Sequence, residues 1–136
     1  MRFLDANIFV RYITLDDPEK AEACLGLFER VSLGEEEVLI SEVVVAEVVY
    51  VLSSLSLYRM RPPEISLRLR ALLGLRGIRI AGKTRCLRAL ELYGANPFLG
   101  FEDALAVAYM EDEGIGELYS YDRDFDRVAG IARVEP

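Results

Sequence analysis

The sequence predicts an α/β fold of three layers, in which five short parallel strands form one sheet with helices on both faces. Short apolar runs alternate with longer segments of helical periodicity along the whole chain, and this alternation is typical of a parallel sheet covered on both faces. The 136 residues, of which 52% are hydrophobic, suffice for one domain with a substantial core. Because no linker or repeat interrupts them, we expect a single domain over residues 1–136.

Capping residues place the elements in order. Asn7 is a favourable N-cap for a first helix, and Ser41 for a third. Asp17 followed by Pro18 predicts the start of the second helix, while the Arg61-Pro62-Pro63 segment separates the third from the fourth. The predicted strands cover residues 2–4, 38–40, 78–80, 118–120 and 131–134. The predicted helices cover residues 8–14, 18–31, 42–51, 64–73, 83–93 and 102–110, with a turn or short helix at 122–128.

Composition excludes several kinds of site and protein. The chain has no histidine, which removes Ser-His-Asp and Cys-His triads and histidine-based zinc sites. Its two cysteines, Cys24 and Cys86, lie on apolar helical patterns, so we interpret them as reduced core residues of a cytoplasmic protein. No run of about 18 apolar residues predicts a membrane span. The net charge of −7 disfavours bulk electrostatic binding of nucleic acid.

Three aspartates fall where a parallel sheet places its reactive groups. In such sheets the ligand crevice lies beyond the carboxyl ends of the strands. Asp5 ends the first predicted strand, Asp122 follows the fourth, and Asp103 lies in the first turn of the sixth predicted helix. Each aspartate could also have a purely structural role. Asp5 could cap a helix, Asp103 could interact favourably with a helix dipole, and Asp122 could form an Asx turn.

Glu47 interrupts an otherwise apolar helix. Its helical neighbours are Val43, Val44, Tyr50 and Val51, so we expect the helix to be buried. An ionised carboxylate there is costly to the fold unless a cation or an arginine compensates its charge. Together the four carboxylates would form an oxygen-only site, which suits Mg²⁺ or Mn²⁺. Such a site activates water and stabilises charge on a phosphodiester.

Four short blocks carry a resemblance to a known family. They are Phe3-Leu4-Asp5-Ala6-Asn7, then Ser41 with Ala46-Glu47, then Glu102-Asp103-Ala104, then Ser120-Tyr121-Asp122-Arg123-Asp124-Phe125. Their order and spacing over essentially the whole chain resemble PIN domains, in particular VapC-type ribonuclease toxins. The resemblance implies a five-stranded parallel sheet in the order 3-2-1-4-5.

The same resemblance implies a site, a reaction and partners. Asp5, Glu47, Asp103 and Asp122 would be the catalytic acids, with Asp5, Asp103 and Asp122 as ligands of Mg²⁺ or Mn²⁺ and an RNA phosphodiester as substrate. Asn7 and Ser120 would occupy supporting polar positions. A small antitoxin and a homodimer are the implied partners. Other acids could take these roles: Glu42 in place of Glu47, Glu102 in place of Asp103, and Asp124 or Asp126 in place of Asp122.

Other functions compete with a toxin nuclease. A PIN nuclease of RNA processing and a catalytically idle PIN-like binding module share the fold. An aspartyl phosphatase needs a second aspartate where Asn7 stands, and a receiver domain needs a lysine near the last strand, which neither Lys20 nor Lys83 provides. Four acids, one of them among valines, argue against an idle module.

One basic segment offers a place for RNA. Residues 59–88 contain nine arginines and lysines and a single acid, Glu64, so the rest of the chain is strongly acidic. The segment is either an RNA-backbone contact strip beside the carboxylates or a set of solvated helix faces.

Overall fold

Three short parallel strands form the first sheet, in the order β1-β2-β3. The computed structural model describes all 136 residues. Strand β1 (Arg2–Phe3) pairs with β2 (Val38–Ile40), which pairs with β3 (Ile78–Ile80). The register sets Val38 opposite Ile78, and both side chains are fully buried. The central strand is therefore anchored in the core, as the apolar runs predicted.

The last two strands form a sheet of their own. Strand β4 (Glu117–Tyr119) pairs in parallel with β5 (Ala132–Val134), and no ladder joins β1 to β4. The predicted single sheet of five strands in the order 3-2-1-4-5 is therefore not observed; its two halves are separate sheets. Strand β1 pairs with β2 along one edge, through its two residues and the Leu4 amide bonded to Leu39, and its other edge has no strand partner.

Six helices separate the strands, as the α/β class requires. They begin and end within a few residues of the predicted bounds, and the predicted turn is a 3₁₀ helix. The elements are α1 (Ala6–Thr14), α2 (Pro18–Leu33), α3 (Glu42–Ser53), α4 (Pro62–Leu73), α5 (Lys83–Ala95), α6 (Phe101–Glu113) and the 3₁₀ helix (Arg123–Arg127). None of the helices combines the length and apolar character needed to cross a bilayer.

Local signals account for the starts of α2 and α3 and for the end of α2, whereas the N-cap of α1 is Asp5 and the predicted cap, Asn7, lies inside the helix. Asp17 accepts a hydrogen bond from the Lys20 amide at 3.1 Å, and Ser41 accepts one from Val44 at 3.4 Å, so both act as the predicted N-caps. Helix α2 ends at Gly34, whose φ of +76° is left-handed, a conformation that glycine adopts without strain.

The core is one hydrophobic cluster of 31 buried residues that runs from Leu4 to Val128. Helix α5 lies at its centre, packed against both α4 and α6. Cys86, Ala89 and Leu90 on α5 are fully buried. Cys86 is a free thiol, and burial raises its pKa to about 12, so this cysteine is the inert core residue that the sequence predicted. Cys24 is also free and buried.

Helix α3 is less buried than its sequence predicted. Its core face is apolar, but Val43 and Tyr50 leave 75% and 73% of their surfaces exposed. Glu47 lies on that same outer face, four residues after Val43 and three before Tyr50, and is exposed. The expectation of a buried carboxylate among valines is therefore wrong, because the valines of the helix divide between a core face and a solvent face.

Candidate active site

Asp5 follows β1 at the carboxyl end of the first sheet and is exposed. Its backbone occupies the N-cap position of α1, yet its side chain makes no capping hydrogen bond, in contrast to Asp17 and Ser41. It forms no ion pair either. Capping therefore does not explain this carboxylate, which is free to bind a ligand.

Asp122 is held at the end of β4 by short-range hydrogen bonds. Its amide donates to the Ser120 hydroxyl at 3.0 Å, and its Oδ1 accepts from the Asp124 amide at 2.9 Å. The second contact makes Asp122 the N-cap of the 3₁₀ helix. Ser120 thus has the supporting position that the resemblance implied, and the Asp122 carboxylate keeps one oxygen uncommitted.

Asp103 lies half-buried in the first turn of α6. Burial raises the pKa of its carboxyl, and the negative charges of Asp122, Glu102 and Asp124 raise it further. No arginine or lysine pairs with any of these four residues. Asp103 and Asp122 are therefore neighbours in a concentration of negative charge that no protein cation compensates.

The other two predicted acids have no resolved effect on Asp103. Neither Asp5 nor Glu47 is among the groups that raise the pKa of Asp103. No set of three or more acidic or cysteine side chains has the geometry to hold a metal ion. Of the other three predicted carboxylates, Asp122 is the one whose charge acts on Asp103.

A comparison of the sequence with protein families decides the assignment. The family model described as PIN domain matches residues 2–131. The chain belongs to the PIN domain family. No curated protein matches it. PIN domains are generally nucleases and typically use divalent metal ions, so the chain has a nuclease fold.

Ion pairing separates two of the rival acids of this PIN domain from the candidate site. Glu42 accepts hydrogen bonds from Arg85 at 3.0 Å and from the Tyr109 hydroxyl at 3.1 Å. Asp126 binds the Arg133 guanidinium through both oxygens, at 3.0 and 3.3 Å. Glu42 and Asp126 are therefore committed to structural pairs.

Glu102 and Asp124 remain unpaired beside Asp103, and their charges act on it. The structure therefore leaves Asp124 as a rival to Asp122, and Glu102 as a rival to Asp103. Of the latter two, Glu102 is exposed and Asp103 half-buried.

Two arginines that the sequence did not single out position the 3₁₀ helix. Arg133 on β5 donates to the Ser120 carbonyl at 3.0 Å as well as to Asp126. Arg127 lies over the Phe98 ring at 3.8 Å and so links the 3₁₀ helix to the segment that precedes α6. No local pattern predicts such contacts, because they join residues that are distant in the chain.

The basic segment is neutralised in part, since four of its nine bases have acidic partners in the fold. Four of its arginines form ion pairs with acids from other elements or from the same helix: Arg68 with Glu64, Arg79 with Glu37, Arg85 with Glu42, and Arg88 with Glu111. Lys83 donates to the Ile78 carbonyl. These contacts favour the interpretation of the segment as structural helix faces.

The donor chemistry fits a divalent cation. The chain has no histidine, and the unpaired side chains around Asp103 supply only carboxylate oxygens, which Mg²⁺ and Mn²⁺ prefer. Burial, and after it the charges of Asp122, Glu102 and Asp124, raise the pKa of Asp103. A bound cation would compensate those charges.

Proposed function

We propose that this PIN domain is a metal-dependent endoribonuclease that hydrolyses RNA phosphodiester bonds. The observation that carries the proposal is the half-buried Asp103 carboxylate beside Asp122, with negative charge around it and no protein cation. By contrast, the rival acids Glu42 and Asp126 are paired with arginines. Unpaired, partly desolvated carboxylates are costly to the fold, so a ligand that compensates them is the best explanation.

Asp103 and Asp122 would hold Mg²⁺ or Mn²⁺, and the exposed Asp5 side chain, which makes no capping hydrogen bond, would join them as a third ligand when the ion binds. When bound, the ion would lower the pKa of water and compensate negative charge on the phosphate. Ser120 and Arg133 hold the backbone around Asp122 and so fix where its carboxylate points. Glu47, on the exposed face of α3, would accept a hydrogen bond from the attacking water and orient it.

Cleavage of a labelled RNA, with end-group analysis of the products, tests the reaction. We expect cleavage with Mg²⁺ or Mn²⁺, no cleavage with EDTA, and products that carry 5′-phosphates and 3′-hydroxyls, since water attacks in place of the 2′-hydroxyl. Full activity in EDTA, or a 2′,3′-cyclic phosphate, would contradict the mechanism. A DNA strand of the same sequence serves as the control for RNA specificity.

We further propose that the nuclease is the toxin of a VapBC-type pair, acts in the cytoplasm, forms a homodimer and is inhibited by a small antitoxin. An exposed apolar groove of about 490 Å³ between α1, α2 and α4 supports the partners, because isolated apolar patches of this kind mark interaction surfaces. Leu15, Leu25 and Leu67 line it and are 63%, 45% and 62% exposed.

Growth on expression tests the toxin role. Arrest that the neighbouring gene relieves, and that Asp103→Asn abolishes, would support it. Healthy growth of cells that contain active nuclease would instead indicate an enzyme of RNA processing. Loss of both arrest and nuclease activity would leave a binding module.

A further inference from the structure

A cleft of about 270 Å³ lies beside the carboxylates and has no part in the mechanism above. One wall is a face of α3 with Ala46, Tyr50 and Ser53. The other wall is residues 97–102, which lead into α6 and include Phe98 and Glu102. Glu47 lies one turn before Tyr50 on the same exposed face of α3, and the charge of Glu102 acts on Asp103, so the cleft opens next to two of the proposed catalytic acids.

The lining of the cleft favours a flat group that donates hydrogen bonds and carries no negative charge. Tyr50 from α3, which is 73% exposed, and Phe98 from the opposite wall, one face of which lies under Arg127, supply aromatic surface. No arginine or lysine lines the cleft, so a phosphate or an acidic side chain would find no partner there. Glu102 has no ion pair, and its carboxylate only accepts hydrogen bonds.

We propose that this cleft, lined by Tyr50, Phe98 and Glu102, binds an unstacked guanine base of the RNA next to the cleaved phosphate. The inference rests on the proposed function, because a nuclease of single-stranded RNA holds its substrate by stacking splayed bases on aromatic side chains and by hydrogen bonds to their edges. Because the cleft lies beside Asp103, a base bound in it would belong to a nucleotide next to the cleaved phosphodiester bond.

Hydrogen-bond chemistry selects guanine among the four bases. Guanine presents N1–H and its 2-amino group side by side, so the two Glu102 oxygens can accept two parallel hydrogen bonds. Adenine and cytosine offer one amino group beside an acceptor nitrogen, and uracil offers one N–H between two carbonyl oxygens. Each of these bases would place an acceptor against the carboxylate, which disfavours binding.

Nuclear magnetic resonance titrations without divalent metal test the site separately from catalysis. The probes are the dinucleoside monophosphates UpG, UpA, UpC and UpU, and the signals are the backbone amides of residues 46–53 and 98–102. We expect UpG to shift these amides with a Kd at least about tenfold lower than the other three. Equal Kd values, or shifts confined to other residues, would overturn the proposal.

Two variants and a control assign the preference to the cleft. Glu102→Gln should bring UpG to the level of UpA, because an amide cannot accept both hydrogen bonds. Tyr50→Ala should weaken all four dinucleotides by about tenfold through lost stacking. Glu113→Gln changes another exposed, unpaired acid, at the far end of α6, and should preserve the preference for UpG. A preference that survives Glu102→Gln would contradict the assignment.

The cleavage assay with Mn²⁺ keeps this inference distinct from the proposed function. Cleavage of RNA without any base preference in the titrations would retain the nuclease and refute the guanine site. A guanine-selective cleft in a chain that cleaves no RNA would retain the site as a base-binding cleft and refute the nuclease.

Discussion

Asp103 shows at the scale of one residue how a functional group can oppose folding. Its pKa is raised by burial and by Asp122, Glu102 and Asp124, so the folded chain holds this proton at pH values where the unfolded chain has released it. The free energy of unfolding therefore falls as pH rises from the ordinary aspartate pKa through the raised pKa, and the whole cost remains at neutral pH.

Asp103→Asn should consequently raise the Tm of the metal-free protein at neutral pH by a few degrees while abolishing RNA cleavage. Thermal melts monitored by circular dichroism at several pH values measure the effect, which should vanish at acid pH, where the aspartate is already neutral. Glu113→Gln is the control and should change neither Tm nor activity. A lower Tm for Asp103→Asn at neutral pH would show that the carboxylate has a stabilising role.

The two aspartates at the ends of the same short segment should differ in function. Asp122 keeps a carboxylate oxygen free, whereas Asp126 is bound by Arg133. Asp122→Asn should therefore reduce the cleavage rate by about a hundredfold or more, since even outer partners of metal ligands cost 10–100-fold, and Asp126→Asn should leave it close to wild type. Single-turnover cleavage of one labelled RNA measures both. The reverse ranking would reassign the fourth acid.

At the scale of elements, the packing of α2 against the first sheet depends on a close backbone approach. Gly77 precedes β3, and a Cβ there would lie 2.1 Å from the Glu36 carbonyl and 2.9 Å from that of Val31. Gly77→Ala should therefore destabilise the fold by about 1–3 kcal/mol. Gly26→Ala on α2, where the nearest atom is 3.6 Å away, should stabilise it by about 0.5–1 kcal/mol. Urea unfolding measures both, and equal effects would contradict this packing.

The elements themselves were predictable because their signals are local. Asp17, Ser41 and Gly34 act through neighbours in the chain, and the structure uses them as caps and as a stop. The division of the strands into two sheets was not predictable, since it depends on pairing between strands that are distant in the chain. The exposed face of α3 was not predictable either. The helix is apolar on nearly all sides, so its sequence does not show which side packs against the core.

At the scale of the whole molecule, charge is distributed by long-range pairing. The nine bases of residues 59–88 looked free in the sequence, yet four of them meet acids such as Glu37, Glu42 and Glu111. Ion pairing also distinguishes among the acids. Glu42 and Asp126 are paired with arginines, whereas Asp5, Asp103 and Asp122 have no ion pair. The sequence predicted which acids to suspect, but only the fold distinguishes free acids from paired ones.

Calorimetric titration with Mn²⁺ tests the central claim most directly, namely that these free carboxylates form a divalent-cation site. We expect wild type and Glu113→Gln to bind Mn²⁺ with the same isotherm, and Asp5→Asn and Asp103→Asn to lose most of the affinity while remaining folded. An isotherm that both aspartate variants share with wild type would contradict the account, because the bound ion would then lie elsewhere on the molecule.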